Sequence, residues 1–142
     1  MKPLTLFAAL LPAACVAAPS AAPSAAPSAA PSAGLAGKWQ VQEADSAAMP
    51  EGVSITLLAD GYFHTDGGCN RLFGRYRQSG NRLIFSDAAS TLKACADGQH
   101  MEIDSRLGTA VGTHRTYRIS GTQLEWFNDN GKVVLKAVKS EP

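Results

Sequence analysis

Val53, Ile55 and Leu57 alternate with Ser54 and Thr56, and a period of two marks a strand with one buried face. The same pattern, broken by turn residues, runs through most of the chain after residue 35. Gly37-Lys38-Trp39-Gln40-Val41 opens it, with Trp39 and Val41 on one face, and Asp45 to Pro50 reads as a loop. Asp60-Gly61 is hairpin chemistry, and Tyr62-Phe63-His64 returns from it. A glycine-rich corner leads into a strand over Leu72 to Tyr76, and Ser79-Gly80-Asn81 turns into Arg82-Leu83-Ile84-Phe85. Arg115 to Ile119 turns at Ser120-Gly121 into Gln123 to Phe127, and Asp129-Asn130-Gly131 turns that strand into Lys132 to Val138. One helix interrupts the series. It starts after Cys95 with Asp97 as its cap, and Met101, Leu107 and Ala110 or Val111 fall near helical spacing. Glu102 and Arg106 are placed to pair across one turn, while Gly108 and Gly112 limit the helix. About eight short strands, tight turns and one helix predict a mainly β fold, a small antiparallel barrel-like or strongly curved sheet.

Before residue 35 the pattern is of another kind. Lys2 precedes a short apolar run from Leu4 to Leu11, then small residues and Cys15, which is a secretory signal over residues 1–14. Leu11-Pro12-Ala13-Ala14-Cys15 resembles a bacterial lipobox, with Pro12 where leucine is usual, so Cys15 is the expected lipidation site. The alternative is an ordinary cut after Ala17 or Ala18, with Pro19 unfavourably close. Residues 15–34 form the acylated cysteine and a tether in which Ala-Ala-Pro-Ser is written four times from Ala17 to Ser32. Proline at every fourth position blocks a helix, and ~3 Å per residue gives an extended reach on the order of 50–60 Å. The foldable domain is then 35–142. A lipoprotein with Val16, not aspartate, after the cysteine is expected on the outer membrane facing the periplasm; without lipid it is soluble periplasmic or secreted.

Charge adds little. The formal net charge is +1, and without Lys2 twelve basic residues face twelve acidic ones, which gives no reason to bind nucleic acid. His64, His100 and His114 lie on different elements without ligand-type spacing, so surface histidines are expected and no metal or other cofactor is implied. Asp60, Asp66, Asp97, Glu102 and Asp104 mostly fall at turns and the helix start, where carboxylates suit exposed N–H groups. No serine or cysteine sits in a nucleophile motif, so no enzymatic activity is expected. Arg71, Arg75 and Arg77 share one side of a strand and Arg82 follows across the turn. They are either a basic stripe for an anionic lipid or acidic envelope partner, or a solvated strand face. Trp39, Tyr76, Tyr117 and Trp126 are expected in the core.

The densest stretch is Gly67-Gly68-Cys69-Asn70-Arg71-Leu72-Phe73-Gly74-Arg75-Tyr76. Asp66, the two glycines and Asn70 tolerate positive φ, so its first half is a turn in which Asn70 bonds its own backbone. Cys69 and Cys95 are read as a staple. An exported domain sits where disulfides persist, while a metal pair, a redox pair and two separate buried thiols are the alternatives. The corner, with Gly74 and Tyr76, resembles the "GCN-R-x-x-G-x-Y" motif of the META domain, or HslJ-like, family. Ser90-Thr91 with Ala94-Cys95 resembles its second motif, with Lys93 where methionine is usual. Glu102 and Leu107 fit the helix that follows, and the resemblance covers roughly Leu35 to Val138. It implies a small barrel-like domain, often an envelope lipoprotein, without enzymatic activity. Heat-shock induction and novobiocin resistance are associated with some members, virulence or secretion with others. The reading is therefore a monomeric, membrane-tethered domain that serves envelope stress or antibiotic resistance by binding. The alternative is a carrier with a small apolar ligand in the barrel interior.

Overall fold

A computed structural model describes residues 34–141, so the signal, Cys15 and the tether lie outside the described residues. The described chain carries β1 (Gly37–Ala44), β2 (Ala47–Ala48), β3 (Ser54–Leu57), β4 (Tyr62–Asp66), β5 (Leu72–Ser79) and β6 (Arg82–Ser90). Then come α1 (Gly98–Thr113), β7 (Thr116–Ser120), β8 (Gln123–Phe127) and β9 (Val133–Lys139). Every pairing is antiparallel. β1 pairs with β3 on one side and β9 on the other, so eight strands close into a barrel, and β2 is a short flap on β1. The flap turns at Asp45 and Ser46, which both take positive φ (46° and 65°), the twist that a two-residue hairpin loop requires.

The alternation expected from the sequence follows from this closure, because one face of each strand meets the interior and the other meets water. Trp39, Val41, Ile55, Leu57, Phe63, Tyr76, Leu83, Leu124, Trp126 and Leu135 point inward and are buried. Tyr117 is only partly buried against them. Helix α1 adds Ile103, Leu107, Ala110 and Val111 to the same core. Asp97 caps the helix by accepting from the Gln99 N–H at 2.9 Å, and Arg106 donates to Glu102 at 2.6 Å. Two expectations for α1 need correction. Met101 is half exposed, and Ile103 takes its place on the buried stripe. Gly108 and Gly112 do not limit the helix, which passes through both to Thr113 and ends where His114 turns extended (ψ 154°).

Closure is uneven. β5 and β6 pair over most of their length, whereas β6 and β7 share one register pair, Arg82 with Thr116. Hydrogen bonds from Leu83 N–H to Arg115 C=O and from Tyr117 N–H to Asn81 C=O flank it. The barrel therefore has a seam, and the C-terminal end of α1 enters the sheet there.

Candidate functional site

The glycine corner is built against the N-terminal half of α1. Gly67 has φ +101°, and a Cβ on it would sit 2.6 Å from Gly52 O and Val53 Cα. A Cβ on Gly68 would overlap the Asp104 carboxylate. That carboxylate accepts from the Asn70 backbone N–H at 2.8 Å and from Asn70 Nδ2 at 3.1 Å. Asn70 does not bond its own backbone, as the turn chemistry suggests; it reaches across to the segment before the second cysteine. Its Oδ1 accepts from Lys93 N–H at 2.6 Å and Thr91 Oγ1 at 3.0 Å, and its Nδ2 donates to Lys93 C=O at 3.3 Å. Asp104, grouped from the sequence with the carboxylates at turns and the helix start, is thus the anchor of the corner on the helix.

Beside Asn70, Cys69 and Cys95 form a disulfide with Cα atoms 6.0 Å apart, within the usual range. The lysine at position 93 contributes its backbone to this knot and leaves its side chain exposed. An open cleft of about 370 Å³ lies over the corner, lined by residues that include Thr65, Asp66, Arg71, Thr91 and Lys93.

The outer face of β4 and β5 carries the arginines. Arg71, Arg75 and Arg77 are exposed, while Gly74 and Tyr76 between them are buried. Phe73 shares the arginines' side and is 42% exposed, and Tyr62, paired in register with Arg75, is 43% exposed. Arg71 is tied to Asp66, and Arg75 lies over the Tyr62 ring at 4.5 Å and donates to its hydroxyl at 2.5 Å. Arg77 and Arg82 have no ion-pair partner among the described residues. Arg82 borders the seam rather than the middle of this face.

Among the described residues no three His, Cys, Asp or Glu side chains are grouped to hold a metal ion. His100 sits on the surface beside Asp97, at 2.5 Å. The Gln99 N–H, and after it His100, hold the Asp97 carboxyl below its ordinary value. His64 is half-buried near Asp66. His114 overturns the expectation of surface histidines: it is buried at the seam. Its Nδ1 is 2.6 Å from Val111 C=O and its Nε2 is 2.8 Å from Leu83 C=O. Its ring packs on Phe85 at 4.6 Å and Trp126 at 5.3 Å. Burial pushes the His114 pKa below its ordinary value although the two carbonyls pull the other way. Tyr76, buried and facing the Asp60 charge, is pushed up to about 12, and its hydroxyl donates to Leu58 C=O at 2.7 Å.

The META domain family model matches residues 33–141. Among solved structures, an NMR structure of a protein from Burkholderia xenovorans superposes with a TM-score of 0.57 at 23% identity. The match covers 75% of this chain and 83% of that one. A crystal structure of a DUF4847 family protein from Bacteroides vulgatus superposes with a TM-score of 0.54 at 14% identity, over 75% of this chain and 94% of that one. At these identities the likeness is one of fold. No curated protein matches the chain.

Proposed function

The chain belongs to the META domain family, and from that premise we propose a non-enzymatic domain, tethered to the cell envelope through Cys15, that works by binding an anionic lipid surface. The observation that carries this reading is the outer face of β5. Phe73, Arg75 and Arg77 follow one another there on one side of the strand, Arg71 stands just before it, and Tyr62 lies alongside. Guanidinium groups bind lipid phosphates in pairs of hydrogen bonds, and the exposed rings suit the headgroup boundary. Stress or antibiotic resistance is then a consequence of what the domain holds at that surface. The carrier reading is the weaker one, because Trp39, Phe63 and Trp126 fill the barrel interior.

The test uses the unlipidated mature protein and phosphatidylcholine vesicles with and without phosphatidylglycerol. Anionic vesicles should be bound in preference, and high salt should weaken that binding. At about 1 kcal/mol per arginine near the surface, Arg75→Ala with Arg77→Ala should weaken it by roughly tenfold or more. Equal binding to both vesicles rejects the surface. Mass spectrometry of the mature N-terminus tests the anchor, and a free N-terminus at Ala18 or Pro19 rejects it.

A further inference from the structure

A closed barrel leaves no strand edge, because each strand's polar backbone groups are met on both sides. Here closure lapses along β6. Leu83 has neighbours on the seam side, its N–H donating to Arg115 C=O and its C=O lying 2.8 Å from His114 Nε2. In an antiparallel ladder the backbone groups of alternate residues point the same way, so the N–H and C=O of Phe85 also face the seam. β7 pairs with β6 at Arg82 alone, and no backbone hydrogen bond joins Phe85 to a described residue on that side, although the His114 ring packs on its side chain. Beyond it, Ser86 to Ser90 are exposed.

A cleft of about 420 Å³ runs beside this edge. β6 forms one wall through Ile84, Phe85 and Ala88, and the end of α1 forms the other through Val111 and His114. Arg82 and Arg115 stand at its rim, and none of its lining residues is a carboxylate. Arg115 has one exposed acidic neighbour, Asp129 at 3.4 Å.

We propose that the free edge of β6 and this cleft take an extended acidic peptide segment as an added strand. The peptide backbone meets Phe85, its apolar side chains rest in the cleft, and its carboxylates face Arg82 and Arg115. The main chain supplies affinity in this mode of recognition, and the side-chain pockets supply selectivity. The site is separate from the arginine face of β5, and neither depends on the other.

The test is NMR titration of the isotope-labelled mature protein with a capped peptide of alternating valine and glutamate, about six residues long, an ordinary strand length. Shifts should centre on Phe85, Ala88 and residues 111–115. The same peptide N-methylated at alternate positions, or with lysine for glutamate, should bind at least ~10-fold more weakly, since each loses bonds that the edge or the rim supplies. Ala88 is exposed on the cleft wall, so Ala88→Glu should weaken the acidic peptide and Ala88→Lys should not. Three results overturn the proposal. The first is no shift at millimolar peptide, and the second is equal binding of the N-methylated form. The third is a set of seam shifts that depend on protein concentration alone, which would make a second copy of the chain the occupant.

Discussion

Replacing Asn70 by alanine should loosen the corner from both the segment before Cys95 and the helix. The side chain makes four hydrogen bonds, two accepted by Oδ1 and two donated by Nδ2. At a net value of about 1 kcal/mol each they set a ceiling of ~4 kcal/mol. Lys93 is exposed, so water replaces part of what its backbone loses, and Asp104 keeps the Asn70 backbone N–H. The expected cost is therefore about 2–3 kcal/mol. With a urea slope of ~1–3 kcal/mol per molar, the unfolding midpoint should fall by on the order of 1–2 M. Hydrogen exchange should show the loss locally, with the Lys93 amide protected in the parent and open in the variant. Asn70→Asp separates donors from acceptors. It keeps the two acceptor contacts and places a carboxylate where Nδ2 lies 3.1 Å from Asp104. It should be at least as unstable as the alanine variant at neutral pH. It should recover as pH falls through the carboxylate range, because two carboxylates this close favour a shared proton. An alanine variant within ~0.5 kcal/mol of the parent, the range of an ordinary surface change, would refute the reasoning.

Breaking the Cys69–Cys95 bridge, 26 residues apart, should cost roughly 3–4 kcal/mol in the chain-entropy model. Cys69→Ser, Cys95→Ser and the double variant should be about equal by denaturation, and two reactive thiols in denatured, unreduced protein would refute the bridge. Gly74→Ala should lower stability by about 1–3 kcal/mol through overpacking, because a Cβ there would lie 2.8 Å from Ser86 O and 2.9 Å from Asp87 O. A melting temperature equal to the parent's would show that the β6 bulge opposite Gly74 yields freely. For His114 the folded pKa is lowered, so the unfolded chain binds a proton that the folded ring refuses, and stability should fall as pH drops below about 6.5. The urea midpoint should decline between about pH 7.5 and 5.5 in the parent and decline less in His114→Gln; parallel curves would reject the assignment.

What the sequence made legible was whatever local periodicity records. Eight strands and their turns could be read because closure puts water on one side of each strand and core on the other. The β2 flap could not, because Asp45 and Ser46 take positive φ without glycine and Ala47-Ala48 carries no alternation. The helix ran past Gly108 and Gly112 because both face solvent, where glycine costs about 1 kcal/mol and the buried stripe outweighs it. For His114 the signal was present. Ile103, Leu107, Ala110 and Val111 extrapolate at helical spacing to position 114, so the buried stripe continues into the ring after the helix ends. Asp104 and Asn70 left no comparable trace. Their contacts join residues 34 apart, and such pairings are set by the closed fold rather than by any neighbouring pattern.

The same helix holds both remote features. Its N-terminal half carries Asp104 under Gly68 and Asn70, and its last turn carries Val111 beside the seam, with His114 just beyond. From residue 104 to residue 111 is about two turns, or roughly 10 Å along the axis at 1.5 Å per residue. The corner leaves no room for a Cβ at Gly68, so it fixes how closely α1 can approach the sheet at one end. At the other end His114 sets how far the helix terminus stands from Leu83. The space left between that terminus and β6 is the cleft itself. Here His114 Nε2 lies 2.8 Å from Leu83 C=O, and Phe85 is the next residue of β6 whose backbone groups face the seam.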